Sequence, residues 1–395
     1  MSDDRIGPYH VAIFTLCGAC LIMDGFDVQA IGYVAPAIIQ DWKIPAADMG
    51  PVFSAGLLGL FLGSLLFSML GDRIGRRPVV LGATVVFSVL TLLTARVTSL
   101  PELIVMRVLA GLGLGAILPN ITALIGEYSP SRHRVTTMMI VTNGFTIGAM
   151  IGGFLSAWLI PAYGWRSVFV VGGVVPLLLL PAMFAWLPES LGRDERRERF
   201  PLARLFADGR AMGTVLLWTV NFMNVLNAYF VSSWLPTVVR GAGYATETAV
   251  LVGASVQTGG VLGTLALGWV LRRVGFVPVL TCCFVLAGVN LALIGQPGLS
   301  LSLLFVVAFL AGLGIFAGQP GLNALAATFY PTEMRSTGIG AGLGIGRFGA
   351  FIGPLLAGEL MRNSWTTQDL FHAAAVPAAI SAMAIVALRW TGRVA

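Results

Sequence analysis

The chain has 395 residues, of which 57% are hydrophobic and only 11% are charged, and its mean hydropathy is +0.87. Ordinary soluble domains carry about 25% charged residues, so this composition excludes a soluble protein. The net charge of +6 does not indicate a nucleic-acid partner, because the arginines are spread over many short polar segments and do not form one basic face. The composition therefore predicts a protein of the lipid bilayer.

Hydrophobic stretches long enough to cross a bilayer recur along the whole chain. A membrane helix needs about 20 apolar residues, and on that rule we predict about twelve, at roughly 10–38, 48–70, 78–96, 101–126, 135–159, 165–187, 212–238, 247–271, 277–296, 300–328, 337–361 and 370–390. We therefore expect an all-α polytopic membrane protein with two pseudo-symmetric six-helix halves. Residues 1–188 would form the first half, 189–211 a cytoplasmic central loop and 212–395 the second half.

The positive charges indicate how the chain is oriented. Every second gap between the predicted helices holds arginines, two or more in each of the first four such gaps and Arg335 alone in the fifth. The intervening gaps hold one cation at most. This is the positive-inside pattern of a polytopic protein whose two termini are both cytoplasmic. We therefore expect a multi-pass protein of the cytoplasmic (inner) membrane.

Two acidic residues, Asp24 and Asp27, lie near the middle of the first predicted helix. A carboxylate at the bilayer centre costs about 2.5–3.5 kcal/mol on insertion scales, so an intramembrane acid indicates a functional site. Residues three apart lie on the same side of a helix. Two carboxylates this close in an apolar cavity do not both ionise readily, so we predict a shared proton site, with the proton assigned to neither residue.

A basic turn containing glycine follows the second predicted helix. An acidic side chain in such a turn can pair with a nearby arginine or accept from a helix N-terminus, while glycine permits a tight bend. We predict that this turn latches one conformation of the protein, through Asp72, Arg73, Gly75, Arg76 and Arg77.

A related turn, ending in Gly275, follows the eighth predicted helix but lacks the aspartate. A weak repeat of about 200 residues across six-helix halves is typical of secondary transporters, whose substrate site lies near the bilayer midplane.

Two predicted helices contain an arginine that does not lie at a helix end. Arg107 shares one face of the fourth helix with Gly111 and Gly115, which predicts a guanidinium free to reach an anionic partner across a cavity. Because Arg107 lies early in its helix, the alternative is that it reaches the outer lipid headgroups. Arg347 is about ten residues from either end of the eleventh helix, so we expect a buried functional cation there.

Neutral polar side chains in other predicted helices complete the candidate site. Each amide has two possible roles, which are to join two helices by hydrogen bonds or to contact a ligand. Together they fit a pocket for a flat, partly polar ring, and we assign them to substrate binding as Tyr33, Asn221, Asn224, Gln319 and Asn323.

These residues together resemble the aromatic acid:proton symporter family, a branch of the major facilitator superfamily. The resemblance is carried by Asp24-Gly-Phe-Asp27, the Asp72 turn, the Arg107 helix with its glycines, and Gly346-Arg347-Phe-Gly349. It implies proton-driven uptake of benzoate-like or phenylpropionate-like acids, with the aspartates of the first helix required. A guanidinium matches a carboxylate with two parallel hydrogen bonds, so Arg347, with Arg107 as a second candidate, would bind the substrate anion.

The main competing function is proton-driven export of drugs or metabolites. Exporters of that kind carry Gly-x-x-x-Gly-Pro-x-x-Gly-Gly in the fifth helix, where this chain has Ala149 in place of proline. That difference favours import of a small organic acid. We further expect no enzymatic activity, no cofactor apart from protons as the coupling ion, and a monomer. The identity of the acid and the number of protons stay open.

Overall fold

The computed structural model describes residues 7–130, 133–189, 202–331 and 333–391. Twelve helices in these ranges are long and apolar enough to cross a membrane, which confirms the predicted all-α fold. They are α1 (Pro8–Trp42), α2 (Ala46–Ile74), α3 (Arg76–Thr94), α4 (Leu100–Tyr128), α5 (Thr136–Tyr163), α6 (Arg166–Trp186), α7 (Ala211–Gly241), α8 (Thr246–Val274), α9 (Phe276–Ile294), α10 (Leu301–Phe329), α11 (Arg335–Arg362) and α12 (Thr367–Thr391).

The helix boundaries agree with the predicted ones to within a few residues. Two of the long helices are interrupted: α4 consists of Leu100–Leu114 and Ile117–Tyr128, and α5 contains a break at Asn143. Interruptions of this kind are tolerated in membrane helices when neighbouring helices satisfy the freed backbone groups.

The chain divides into two compact units. The first comprises Met1–Ile44, Pro51–Glu195 and Ala245–Leu251, and the second comprises Pro45–Gly50, Arg196–Tyr244 and Val252–Ala395. The division falls in the long polar segment between α6 and α7, of which residues 190–201 lie outside the described residues.

Within the first unit, glycines bring pairs of helices into backbone contact. Small residues have this role in membrane proteins, where close packing takes the place of a hydrophobic driving force. The contacts join α1 to α5 and α2 to α4. They place Gly25 on the carbonyl of Phe145, Gly148 on that of Ile22, Gly59 on that of Val108 and Gly111 on that of Gly56.

The second unit repeats this arrangement with the corresponding helices. Its contacts join α7 to α11 and α8 to α10. They place Gly349 on the carbonyl of Phe222, Gly353 on that of Leu226, Gly259 on that of Phe309 and Gly312 on that of Val256. Each helix is six positions further along than its counterpart, as expected for two related halves.

The turns that follow α2 and α8 also correspond. Gly75 has a φ of 100° and Gly275 a φ of 91°, and both residues immediately precede the next helix. Positive φ values of this size favour glycine, because a side chain would collide with its own backbone. The two turns that predicted the internal repeat therefore also share a backbone conformation.

We predict that Gly148→Val destabilises the protein, because its Cβ would press on the carbonyl of Ile22 and force α1 away from α5. Overpacking of this kind costs about 1–3 kcal/mol. The melting temperature of the purified protein, measured by size-exclusion chromatography after heating, should fall by several degrees. Gly82→Ala is the matched control, because nothing lies within 4 Å of a Cβ there. Equal melting temperatures for Gly148→Val and the unchanged protein would contradict the packing role.

Candidate functional site

Asp27 is fully buried, and its carboxylate has partners on two other helices. Arg107 Nη1, from α4, lies 3.4 Å from Asp27 Oδ2 and forms a buried ion pair with it. The Thr91 hydroxyl, from α3, donates a hydrogen bond to Asp27 Oδ1 at 2.9 Å. Arg107 Nη2 also donates to the backbone carbonyl of Asp27 at 3.4 Å. One acidic residue of α1 therefore connects three helices of the first unit.

Arg107 is 2% exposed, so the alternative in which it reaches the lipid headgroups is wrong. The backbone of α2 packs against Gly111 and Gly115, so these glycines mediate a helix contact, while the guanidinium reaches Asp27 as its anionic partner. Gly56 of α2 leaves room for the guanidinium, since a Cβ there would lie 3.4 Å from Nε and Nη2. Arg107 Nε is buried without a hydrogen-bond partner among the described residues.

The buried pair is sensitive to the loss of either member. Removing one partner of a buried ion pair leaves an uncompensated charge and costs about 3–5 kcal/mol, even where the intact pair adds little to stability.

Asp24 and Tyr33 flank Asp27 on α1. Asp24 is 2% exposed and lies about one turn before Asp27. Tyr33 is fully buried, and its hydroxyl donates to the carbonyl of Ala149 in α5 at 2.9 Å. The Tyr33 hydroxyl thus joins two helices, and its predicted contact with substrate stays a prediction.

The predicted amides of the second unit form a hydrogen-bonded group between α7 and α10. Gln319 Nε2 donates to Asn221 Oδ1 at 2.9 Å, and Asn224 Nδ2 donates to Gln319 Oε1 at 3.0 Å. Asn221 and Asn224 are buried, whereas Gln319 is half-buried. Hydrogen bonds between these three side chains therefore join α7 to α10.

Two further predicted residues of the second unit are also half-buried. Arg347 lies on α11, and Asn323 lies on α10 about one turn after Gln319. The structure therefore brings the predicted residues together in two groups: Asp27 with Arg107 in the first unit, and Asn221 and Asn224 with Gln319 in the second.

The predicted latch is tied to the end of α4. Arg76 forms an ion pair with Glu127 and lies 3.7 Å from the carboxylate of Asp72, its neighbour one turn earlier. Arg73 and Asp72 are exposed. Sequence reasoning gave Glu127 no role in this turn, although an acidic residue at the end of a membrane helix, close to a basic turn, was the available signal.

The next residues of the turn are tied to α6. The backbone N–H of Arg77 donates to Glu189 Oε1 at 3.5 Å, and its guanidinium donates to the carbonyl of Phe184 and lies over that ring. A Cβ at Gly75 would meet the carboxylate of Glu189 at 2.6 Å. The turn therefore connects the ends of α2, α3, α4 and α6, with Glu189 as a second residue that the sequence did not identify.

The described residues contain no group of three or more His, Cys, Asp or Glu side chains able to hold a metal ion. Thr91 is the third residue that sequence reasoning missed. No sequence signal distinguishes it from the other threonines of α3, because its partner is 64 residues away in the chain.

The chain is similar to known proteins over nearly its full length. Residues 17–354 and 217–394 match the Major Facilitator Superfamily. The chain is 37% identical to the 4-hydroxybenzoate transporter of Pseudomonas putida, covering 98% of this chain and 94% of the relative. It is 38% identical to the gallate transporter of the same organism, with coverages of 98% and 93%. It is 36% identical to the 3-(3-hydroxy-phenyl)propionate transporter of Escherichia coli (strain K12), with coverages of 94% and 92%.

Solved structures with low sequence identity share the fold. The D-xylose-proton symporter superposes with a TM-score of 0.80 at 17% identity, over 96% of this chain and 97% of that one. A bacterial homologue of the human lysosomal transporter Spinster, inward-facing and occupied, gives a TM-score of 0.76 at 16% identity, over 99% and 98% of the two chains. The predicted transporter fold and the resemblance to aromatic acid transporters are confirmed. This chain belongs to the Major Facilitator Superfamily, as a multi-pass membrane transporter and not an enzyme.

Proposed function

We propose that this transporter imports a small aromatic acid anion together with protons across the cytoplasmic membrane, with both termini in the cytoplasm. The observation that carries the proposal is the buried ion pair between Asp27 and Arg107. The names of the relatives support it, since 4-hydroxybenzoate, gallate and 3-(3-hydroxy-phenyl)propionate each combine a carboxylate with a hydroxylated ring.

The ion pair supplies a physical reason for coupling. While Asp27 is ionised, Arg107 is held and locally neutralised; once Asp27 takes a proton, a buried cation is left uncompensated. An anion that enters the site restores neutrality. Proton and anion therefore bind more favourably together than separately, and this coupling is reciprocal, as symport requires.

Asp24 adds a second carboxylate to the same helix, and we propose that the two aspartates share the proton site. Strongly interacting carboxylates titrate jointly, so protonation at Asp27 is one microstate of this shared site, and it is the one that releases Arg107. One proton with one monoanion moves no net charge, so the pH gradient alone drives uptake, at about 1.4 kcal/mol per pH unit. A second proton would add the membrane potential, at about 2.3 kcal/mol per 100 mV.

We propose Arg347 as the anchor of the substrate carboxylate, because a guanidinium binds a carboxylate through two parallel hydrogen bonds. Arg107 becomes the second anion partner only after Asp27 is protonated. The amides of Asn221, Asn224, Gln319 and Asn323 offer donors and acceptors to ring hydroxyls, and we propose Tyr33 as a further substrate-binding residue. We further propose that the protein works as a monomer in the bilayer, without a cofactor.

Asp27→Asn should abolish uphill accumulation, because the site can no longer exchange a proton. The assay is uptake into proteoliposomes with an acid-outside gradient, using labelled 4-hydroxybenzoate, gallate, a phenylpropionate and a ring-cleavage dicarboxylate. A protonophore should abolish accumulation by the unchanged protein. Asp41→Asn is the matched control, because Asp41 is an ion-paired aspartate at the far end of α1, half-exposed beside Arg166. Outward movement of cationic dyes without uptake of any acid would contradict import and favour export.

A double-mutant cycle should detect the ion pair in the folded protein. Arg107→Gln leaves the Asp27 carboxylate buried without its cation, at a cost of about 3–5 kcal/mol. Adding Asp27→Asn removes that charge, so the double variant should regain much of the lost melting temperature. Additive losses from the two substitutions would show that the two side chains act independently.

Gly75→Ala should slow transport several-fold without weakening substrate binding, because the added methyl strains the turn and presses on Glu189. Gly275→Ala is the control that separates backbone strain from the contact with Glu189. Gly275 has a similar φ, but nothing lies within 4 Å of a Cβ placed there. The measurements are the initial uptake rate and the dissociation constant in detergent. A Gly75→Ala protein with an unchanged uptake rate would contradict the proposed latch.

A further inference from the structure

Thr91 makes a different hydrogen bond from its neighbours on α3. Thr84 and Thr94 each donate to the backbone carbonyl four residues earlier at 2.8 Å, which is the usual arrangement for threonine in a helix. The Thr91 hydroxyl donates instead to Asp27 Oδ1 at 2.9 Å. Since a hydroxyl has a single proton to donate, it serves one of these acceptors at a time.

Because Thr91 is buried, the acceptor that its hydroxyl bonds strongly affects the stability of the Asp27 carboxylate. Thr91 and Asp27 are both fully buried, so water does not replace a lost hydrogen bond. Hydrogen bonds to charged groups are stronger than those between neutral groups. Threonine in a helix has two accessible side-chain rotamers because its hydroxyl can also bond the preceding turn. The carbonyl of Phe87, four residues earlier, is therefore the second acceptor within reach of Thr91.

We propose that Thr91 is a positioning residue for the proton step. It holds the ionised carboxylate of Asp27 against Arg107, and its hydroxyl turns to the carbonyl of Phe87 when Asp27 takes a proton. The proton binds a carboxylate oxygen, the ion pair with Arg107 is released, and no covalent bond other than the new O–H changes. This inference rests on the proposed function, because it concerns the same proton site.

The groups that act on Asp27 are limited in number. On its own helix the nearest acid is Asp24, and α4 contributes Arg107. Within the described residues, the other charged side chains of α3, α4, α5 and α6 lie at or near the ends of these helices, at Arg76, Arg77, Glu102, Glu127, Arg134 and Arg166. Thr91 is therefore the neutral group with the most direct influence on the Asp27 carboxylate.

Transport in two modes distinguishes positioning from a merely structural role. Uphill accumulation under an acid-outside gradient needs proton exchange, whereas counterflow of labelled and unlabelled acid without a gradient needs only substrate binding and movement of the loaded protein. Thr91→Val, which keeps the shape and removes the hydroxyl, should reduce accumulation about tenfold, in line with a lost hydrogen bond to a charged group, and leave counterflow within about twofold. Thr91→Ser should restore accumulation.

Thr84→Val and Thr94→Val are the matched controls, because each removes a hydroxyl from the same helix that bonds only the backbone. Both should accumulate substrate as the unchanged protein does. Equal losses of accumulation and counterflow in Thr91→Val would assign Thr91 a structural role and overturn the proposal. Unchanged accumulation in Thr91→Val would overturn it as well.

Infrared difference spectroscopy tests the inference without transport. A pH step on the purified protein should produce the C=O stretch of a protonated carboxyl group, and its loss in Asp27→Asn assigns the band to Asp27. Thr91→Val should shift this band or its midpoint pH, whereas Thr94→Val should leave both unchanged. If the unchanged protein transports no acid but the band shifts, the proposed substrate is wrong and the role of Thr91 stands. An Asp27 band that is unaffected by Thr91→Val overturns the role of Thr91 whatever the substrate.

Discussion

A buried ion pair that water does not reach, between Asp27 and Arg107, is the constraint on which the first unit depends. Two charges in such a place need partners with fixed geometry, and the protein must bring three helices close enough to provide them. Glycines make this close approach feasible. Gly56 leaves space for the guanidinium, and Gly148 lets α5 pack directly on the backbone of α1. Packing and charge placement are therefore parts of one arrangement.

The two units share a scaffold and differ in their polar content. Corresponding helices meet through glycine on backbone in both units, and corresponding turns contain glycine with positive φ. The first unit contains the aspartates and Arg107, whereas the second contains Arg347 and a group of hydrogen-bonded amides. The proposed function uses this difference, with the proton site in the first unit and most of the substrate contacts in the second.

The sequence was sufficient for the helices and for the unusual charges, since both follow from local pattern. About twenty apolar residues define a span, and Asp27 stands out in any such span. Partners were harder to predict because they lie far apart in the chain. The glycines on the Arg107 face of α4 predicted that its guanidinium could reach an anion, but not that α2 packs against these glycines. Thr91 carries no local signal of the residue that it contacts, and the acidic Glu127 at the end of α4 does not by itself identify its partner. Only the folded chain places them beside Asp27 and Arg76.

The most direct test of the account is whether the transported acid brings protons with it. Proteoliposomes containing a trapped pH indicator, with no imposed gradient, would receive 4-hydroxybenzoate, and protein-free vesicles would correct for passive entry of the neutral acid. Proton symport predicts acidification of the interior beyond the protein-free level, and no such excess for Asp27→Asn. Protein-dependent entry of the acid without a change in internal pH, or with alkalinisation, would contradict proton symport.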